Sequence, residues 1–341
     1  MLTTWEYSVK TEVERLIHVA HNIVNGFFKT NNFIVLPYNP NSKNASIVTF
    51  VDFNYNCIFR FWEQVKRANV IDLPMSIDVK LVKNVVDLIG VKTINKPNFE
   101  KVKQLWEKAE TKVIEEIYRV IPSKKDKIKK IIIYPTAFGT SCSFSWINNN
   151  GKIYIYLRED QGISSITEAI ITSISRKDVF EKLDGVWAES EIITDYLITE
   201  TSIANVLQKY EKAEAYLPTL KGIRGKEQVK LMQESDEFYK KLGISNFEKP
   251  FSVNNEAPHV FGKPLENLTE TEKNLMMSLI NNENQVVDMD KIGETIFKSE
   301  DDFSLYAISK TIQRLRDKFE ANGISGSYIQ TLRGKGYVLK N

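Results

Sequence analysis

Cationic and amide side chains recur at helical spacing near the end of this chain, and their types suit a chemical task. Lys310, Gln313 and Arg314 point to one side of a predicted helix, with Arg316 and Lys318 on its flanks. Lysine and arginine neutralise phosphates, and arginine and glutamine can also hydrogen-bond base edges in a major groove. For an isolated helix, an ordinary solvated face is the alternative interpretation.

Two local patterns would position these side chains. Four apolar residues recur on the opposite side of the helix and predict a buried face; they are Ile308, Ile312, Leu315 and Phe319. Gly323 is expected to end the helix near Asn322. Residues 328–332 and 337–339 alternate as strands around a turn that contains Arg333 and Lys335. The basic-tipped hairpin favours nucleic-acid binding over a plain solvated face.

Charge is separated within this C-terminal region. Residues 304–341 contain seven Lys or Arg and two Asp or Glu, whereas residues 266–302 contain three basic and ten acidic residues. The whole chain carries 46 Lys and Arg against 44 Asp and Glu, a net charge of +2. Any affinity for a polyanion must therefore come from the local basic face, because the overall charge gives no bias.

Residues 260–339 resemble the winged-helix DNA-binding domain of the OmpR/PhoB class of transcription regulators. The resemblance rests on four motifs in matching order and spacing: LTETE at 268–272, VVD at 286–288, IQRLRDKFE at 312–320 and IQTLRGKGY at 329–337. It implies that the third helix lies in the major groove and that the hairpin, or wing, reaches the adjoining minor groove.

The resemblance also implies which residues touch DNA. The third helix would supply Lys310, Gln313, Arg314 and Arg316, and the wing would supply Thr331, Arg333 and, in the same basic turn, Lys335. Gln313 stands where family members often carry a second arginine, and this departure bears on sequence preference. The antiparallel strands that open the family's domain would have to come from 251–268, where the strand signal is faint.

Local capping signals support the first two helices of this domain. Thr269 and Glu272 have the spacing of a capping box, in which each side chain satisfies a backbone amide at the helix start. Asp288 can cap the second helix, predicted over 290–297.

A second resemblance, in the middle of the chain, raises an enzyme hypothesis. ITEAII at 166–171 follows a predicted strand as the HExxH helix does in zinc metallopeptidases, and EIITD at 191–195 is similar to the third-ligand motif of the gluzincin group. The resemblance implies a vestigial site of Glu168, Glu191 and Asp195. Thr167 and Ile171 occupy the positions of the two histidine ligands, so we expect no metal and no catalysis there.

The alternative interpretation is that these glutamates are exposed helix carboxylates or partners of Arg158 and Arg176.

The elements around these glutamates are predicted as a helix, three strands and two helices, over 99–121, 131–134, 141–147, 152–157, 164–176 and 185–210. Upstream, a helix over 3–28 carries His18 and His21 at i and i+3, which we interpret as core-edge or surface residues and not metal ligands. Residues 33–37 and 47–53 are predicted strands.

Composition bounds the class of protein. The chain has 341 residues, of which 42% are hydrophobic and 26% charged, and only two cysteines, Cys57 and Cys142. These values are typical of a multidomain protein from a reducing compartment. No leader pattern or long apolar run is present, so we expect a cytoplasmic protein with no membrane contact.

The sequence therefore predicts a multidomain α+β protein: an N-terminal α+β subdomain (1–95), a second α+β subdomain (96–217), a linker (218–255) with a helix at 226–242, and a winged-helix domain (256–341). We expect a transcription regulator that binds double-stranded DNA, needs no cofactor and lacks a receiver domain. A peptide or small-molecule effector and a homodimer are left open as further partners. The rival hypothesis is a hydrolase that uses its winged helix for protein contacts.

Overall fold

The computed structural model of the chain describes residues 2–341 except 32, 40–46, 55, 57, 67, 69–72, 74–76, 91–95, 184, 186, 212–225, 244–248, 298–302, 323, 325 and 333. The chain divides into two units. The N-terminal unit comprises Met1–Val24 and Asn31–Ser245, and the C-terminal unit comprises Asn25–Thr30 and Asn246–Asn341. The C-terminal unit is therefore built from two separate stretches of the chain.

The described residues form a mixture of helices and short strands. Those up to residue 241 are β1 (Thr3–Trp5), α1 (Val9–Val24), α2 (Phe27–Thr30), β2 (Ile34–Pro37), β3 (Ile47–Phe50), α3 (Ile58–Val65), α4 (Val79–Ile89), α5 (Glu100–Val120), β4 (Lys130–Thr136), β5 (Cys142–Phe144), β6 (Lys152–Arg158), α6 (Ile163–Lys182), α7 (Trp187–Thr199), α8 (Ser202–Leu207) and α9 (Lys226–Lys241). The rest are β7 (Phe251–Asn254), β8 (Ala257–Val260), β9 (Lys263–Pro264), α10 (Glu270–Asn281), β10 (Val287–Asp288), α11 (Met289–Ile296), α12 (Leu305–Ala321), β11 (Ile329–Leu332) and β12 (Gly336–Leu339). This mixed content confirms the predicted α+β class.

The main sheet of the N-terminal unit has the strand order β1-β4-β6-β5. Strands β1, β4 and β6 are parallel, and β5 pairs antiparallel with β6 at the edge. Ile131 and Ile133 of β4 are fully buried together with Trp106 of α5. Such apolar residues along a strand are typical of a parallel sheet that helices cover. A separate parallel pair joins β2 to β3.

The structure corrects the predicted helix over 3–28. Thr3–Trp5 is a strand that pairs in parallel with Ile131, Ile132 and Ile133, and three residues are too few to show an alternating pattern in the sequence. Ser8 precedes the helix, and its carbonyl accepts the amide of Glu12 at 3.1 Å. The helical periodicity was therefore genuine only from Val9 onward.

The predicted helix over 185–210 is interrupted. Helix α7 ends at Thr199, and the hydroxyl of Thr201 accepts a hydrogen bond from the amide of Ile203 at 3.3 Å, capping α8. A threonine at this position competes for backbone amides and so starts a new helix. The predictions for α5, β4, β6 and α6 are confirmed with shifts at their ends.

The C-terminal unit opens with an antiparallel sheet in the order β7-β8-β9 and ends with a second sheet in the order β10-β12-β11. The first sheet occupies the region where the strand signal was faint. Helices α10, α11 and α12 contribute a common core with Phe251 of β7, Tyr328 and Leu339. Phe27 of α2 packs against this core, and its ring lies 6.3 Å from that of Tyr328.

The predicted boundaries at residues 95 and 217 stay a prediction. In the structure, β1 from the first predicted subdomain and β4 from the second share one sheet. Within the part of the chain that the structure describes, no helix is both long and apolar enough to cross a membrane.

Candidate nucleic-acid interface

Helix α12 has one fully buried face, as its sequence predicted. Ile308, Ile312, Leu315 and Phe319 are each 0% exposed. At about 100° per residue, the residues on the other side form a stripe that faces solvent at least in part, which consists of Tyr306, Lys310, Gln313, Arg314 and Asp317. Three of the seven predicted DNA contacts therefore share one face of one helix.

The two ends of α12 are fixed by hydrogen bonds. At the start, the hydroxyl of Ser304 accepts from the amide of Ala307 at 3.3 Å. At the end, the amide of Ile324 donates to the carbonyl of Phe319 at 2.9 Å, a bond that spans the last turn as in a Schellman motif. The helix ends at Ala321, close to the predicted position. Gly323, the residue expected to end it, lies outside the described residues.

Helix α10 starts with the predicted capping box and is also tied to α12. The hydroxyl of Thr269 accepts from the amide of Glu272, whose carboxylate accepts from the amide of Thr269. That carboxylate is buried and forms an ion pair with Lys318 of α12. Burial opposes ionisation of Glu272, but the bonds from Lys318 and Thr269 outweigh it and lower the pKa. Lys318 is thus committed to holding the two helices together.

Helix α11 starts with the other predicted cap. The carboxylate of Asp288 accepts a hydrogen bond from the amide of Lys291 at 2.8 Å. Asp288 also belongs to β10, where it pairs with Gly336 of β12. The second helix and the C-terminal hairpin are therefore joined at a single residue.

The C-terminal hairpin is confirmed as strands β11 and β12, paired in the register Ile329↔Leu339 to Leu332↔Gly336. Gly334 in the turn has a φ of +68°, and Lys335 beside it is exposed. Arg333, a predicted wing contact, lies outside the described residues. The hairpin therefore presents Lys335 at its tip.

Arg316 connects the helix to the hairpin. Its Nη2 donates to the carbonyl of Ile329 and to the hydroxyl of Thr331, both at 2.9 Å, and its Nε donates to the same carbonyl at 3.2 Å. Two predicted DNA contacts, Arg316 and Thr331, are thus bonded to each other. This arrangement fixes the orientation of β11 against α12, a consequence that spacing alone could not show.

The other polar residues of the stripe interact with each other along the helix. The ammonium of Lys310 lies 5.5 Å from the ring centroid of Tyr306, and Nε2 of Gln313 donates to Oδ1 of Asp317 at 2.9 Å. Arg314 is exposed. Tyr306, 68% exposed, was missed from the sequence, although its spacing four residues before Lys310 was a usable signal.

At one residue of the predicted vestigial site, Glu191, the structure shows an ion pair between two helices, and the site of Glu168, Glu191 and Asp195 stays a prediction. Glu191 is buried and pairs with Arg176, whose Nε also donates to Ser190 at 3.3 Å. The guanidinium lies 5.3 Å from the ring centroid of Phe144. Burial raises the pKa of Glu191, although Arg176 opposes the shift. Glu191 is therefore a partner of Arg176, one of the alternatives that the sequence left open.

The two positions that would need imidazoles have other tasks. The hydroxyl of Thr167 donates to the carbonyl of Ile163 at 2.9 Å, within α6, and Ile171 is 0% exposed in the core. Arg158 pairs with Asp160. Across the described residues, no group of three or more His, Cys, Asp or Glu side chains could hold a metal ion.

His18 and His21 each lie within hydrogen-bond distance of a different polar group. Nδ1 of His18 lies 2.9 Å from Nη1 of Arg15, and Nδ1 of His21 lies 3.2 Å from the carbonyl of Val65. Burial, with the nearby Arg15, holds the pKa of His18 well below its ordinary value. Each histidine is engaged in packing of the N-terminal unit.

The three helices, the hairpin and the bracing between them define the C-terminal unit as a winged-helix domain. Residues 262–339 match the family model described as "Transcriptional regulatory protein, C terminal", which confirms the resemblance to the OmpR/PhoB class for this segment. A solved structure of the DNA-binding domain of the response regulator AdeR, in complex with an intercistronic region, is 23% identical, with a TM-score of 0.24. The match covers 28% of this chain and 96% of that one.

No curated protein matches the chain. The family model does not extend to the N-terminal unit, and the comparisons give the metallopeptidase resemblance no support.

Proposed function

We propose that this chain is a cytoplasmic, sequence-specific regulator of transcription, in which the C-terminal unit reads duplex DNA and the N-terminal unit senses a signal or mediates self-association. The observation that best supports this proposal is the stripe on α12. Lys310, Gln313 and Arg314 lie on the side of the helix away from its fully buried face. A helix anchored in this way can enter a major groove with its polar side chains toward the bases.

Each side chain of the stripe has a distinct task in this proposal. Lys310 and Arg314 neutralise phosphates or donate to guanine, and Gln313 hydrogen-bonds a base edge. At the wing, Thr331 and Lys335 contact the backbone of the adjoining minor groove, together with Arg333, which the sequence resemblance assigns to the wing.

Arg316 supports the interface through its bonds to β11. A wing that swung freely would lose orientational entropy on binding, whereas a wing braced by three hydrogen bonds is already oriented. A direct contact between Arg316 and DNA stays a prediction.

The N-terminal unit is assigned a regulatory role and not a catalytic one. Thr167 and Ile171 lack imidazoles, and Glu191 is held in an ion pair by Arg176. A peptide or small-molecule effector, or a second copy of the chain, would act through this unit. A change in DNA affinity on adding an effector, or a defined oligomer in solution, is the expected sign of this role.

Duplex-binding titrations over a range of salt concentrations test the DNA-binding proposal. Arg314→Ala should weaken binding about tenfold and reduce the slope of log affinity against log salt by about 1, because one cation is lost from the interface. Lys263→Ala removes an equivalent exposed charge from β9, outside the proposed interface, and should change neither quantity. Equal effects of the two substitutions, or salt-insensitive binding, would contradict the proposal.

A further inference from the structure

An acidic residue lies on the same stripe as the proposed DNA contacts. Asp317 is exposed on α12, one turn after Gln313, and its Oδ1 accepts a hydrogen bond from Nε2 of Gln313 at 2.9 Å. Positions i and i+4 differ by about 6 Å along a helix axis, so the two side chains would lie within one or two base pairs of each other in a groove.

A carboxylate on this stripe restricts what the stripe can face. Against phosphates Asp317 would be repulsive, whereas base edges in the major groove offer amino donors on adenine and cytosine. The region around Asp317 is therefore better suited to base edges than to the DNA backbone.

The hydrogen bond also fixes the orientation of the Gln313 amide. A glutamine amide has two N–H donors and one carbonyl acceptor. Since Asp317 takes one N–H and can only accept, the second N–H and the carbonyl remain directed away from it. That pair of groups complements N7 and the N6 amino group of adenine, the bidentate pattern by which glutamine recognises this base.

We propose that Gln313 reads an adenine in the recognised duplex and that Asp317 is the positioning residue that sets the amide for this contact. The inference rests on the proposed function and adds the base that one position of the site must contain. The alternative interpretation of the same bond is an i, i+4 side-chain pair that only stabilises the helix, by a few tenths of a kcal/mol. The two interpretations predict different base preferences for variants of Gln313 and Asp317.

The experiment starts with selection of bound duplexes from a pool of randomised DNA by the full-length chain. Competition titrations then substitute each base pair of the selected site in turn. With the unaltered chain, one A·T pair should be preferred over the other pairs by about 5- to 150-fold, and Gln313→Ala should abolish this preference at that pair alone. Gln313→Arg should shift the preference there to G·C, because arginine pairs with guanine.

Asp317→Ala and Asp317→Asn form the matched pair of variants. Both remove the negative charge, so both should raise affinity for unselected duplexes to a similar extent. Only asparagine keeps an oxygen that accepts from Gln313, so Asp317→Asn should retain most of the A·T preference and Asp317→Ala should lose most of it.

The outcomes separate this inference from the proposed function. A selected site whose discrimination is the same with Gln313 or alanine overturns the adenine contact and leaves DNA binding in place. Equal discrimination with alanine or asparagine at 317 overturns the positioning role of Asp317. Failure of the full-length chain to enrich any duplex overturns both.

Discussion

Gly336 is the described glycine at which the winged helix should be most sensitive to a single added methyl group. Its φ is +144°, a backbone conformation that residues other than glycine rarely adopt. A Cβ at this position would lie 2.0 Å from the carbonyl oxygen of Val287 and 2.8 Å from the Cα of Asp288. Both neighbours are backbone atoms of β10, so no flexible side chain can move aside.

Gly336→Ala should therefore destabilise the C-terminal unit by about 2 to 5 kcal/mol. Backbone strain of this kind costs about 1 to 3 kcal/mol. Displacing β10 would add the loss of one or two ladder hydrogen bonds at about 1 kcal/mol each, since Val287 and Asp288 pair with Tyr337 and Gly336. Asp288 also caps α11, so its displacement would weaken that helix as well.

The two units can be followed separately during unfolding. All five tryptophans belong to the N-terminal unit, so their emission in guanidinium reports that unit alone. Hydrogen exchange of peptides from residues 246–341 reports the C-terminal unit. Gly336→Ala should leave the tryptophan transition unchanged and strongly reduce protection in β10, α11 and β12.

Gly334→Asn is the matched control for this experiment. Gly334 has a φ of +68° and nothing within 4 Å of its added Cβ, and asparagine tolerates the left-handed region. The control should cost less than about 1 kcal/mol. Native-like protection in the Gly336→Ala protein, or equal losses in both variants, would refute the steric argument.

Three further changes test other contacts. Arg316→Lys keeps the charge but not the forked geometry of the guanidinium, so hydrogen-exchange protection of β11 should fall and duplex affinity should drop about three- to tenfold. Unchanged affinity would mean that the bonds from Arg316 to β11 do not contribute to DNA binding. Phe27→Ala should destabilise the C-terminal unit by about 1 to 3 kcal/mol, because it removes the packing of this ring against Tyr328. The control Phe59→Ala changes a 77% exposed position and should not destabilise that unit. Hydrogen-exchange protection of residues 246–341 measures both effects. Burial raises the pKa of Glu12 to about 7 from an ordinary 4.5, so the folded N-terminal unit retains a proton there that the unfolded chain has released, and its free energy of unfolding should fall as pH rises through this range. Glu12→Gln should remove that slope in tryptophan-monitored denaturation, and an identical pH dependence would exclude Glu12 as its source.

Local signals were enough to predict most of the winged helix. The core face of α12, the capping box at Thr269 and the cap at Asp288 each depend on residues within a few positions of one another, so a sequence pattern records them. The two strands of the hairpin were predictable for the same reason. The candidate cations on α12 followed directly from that helical pattern.

Pairings between distant residues were not predictable from local patterns. Strand β1 is three residues long and is defined by its pairing with β4, more than a hundred positions away. The bond from Arg316 to Ile329 joins a helix to a strand, and spacing within either element gives no sign of it. Helical periodicity also places Tyr306 and Asp317 on the stripe, although the prediction included only basic and amide residues.

The C-terminal unit comprises two separate segments of the chain, Asn25–Thr30 and Asn246–Asn341, and its DNA binding should be measured with both present. The hydroxyl of Tyr328 donates to the carbonyl of Asn25 at 2.9 Å in a buried position, and Tyr328 directly precedes β11. A fragment that begins at residue 246 would lack this acceptor as well as Phe27, leaving a buried hydroxyl unsatisfied at a cost of about 1 to 3 kcal/mol. Weak binding by such a fragment would therefore reflect a damaged base of the wing and would not show that the stripe on α12 is inactive. The full chain keeps the acceptor of Tyr328 beside β11, so it is the protein in which the DNA contacts should be measured.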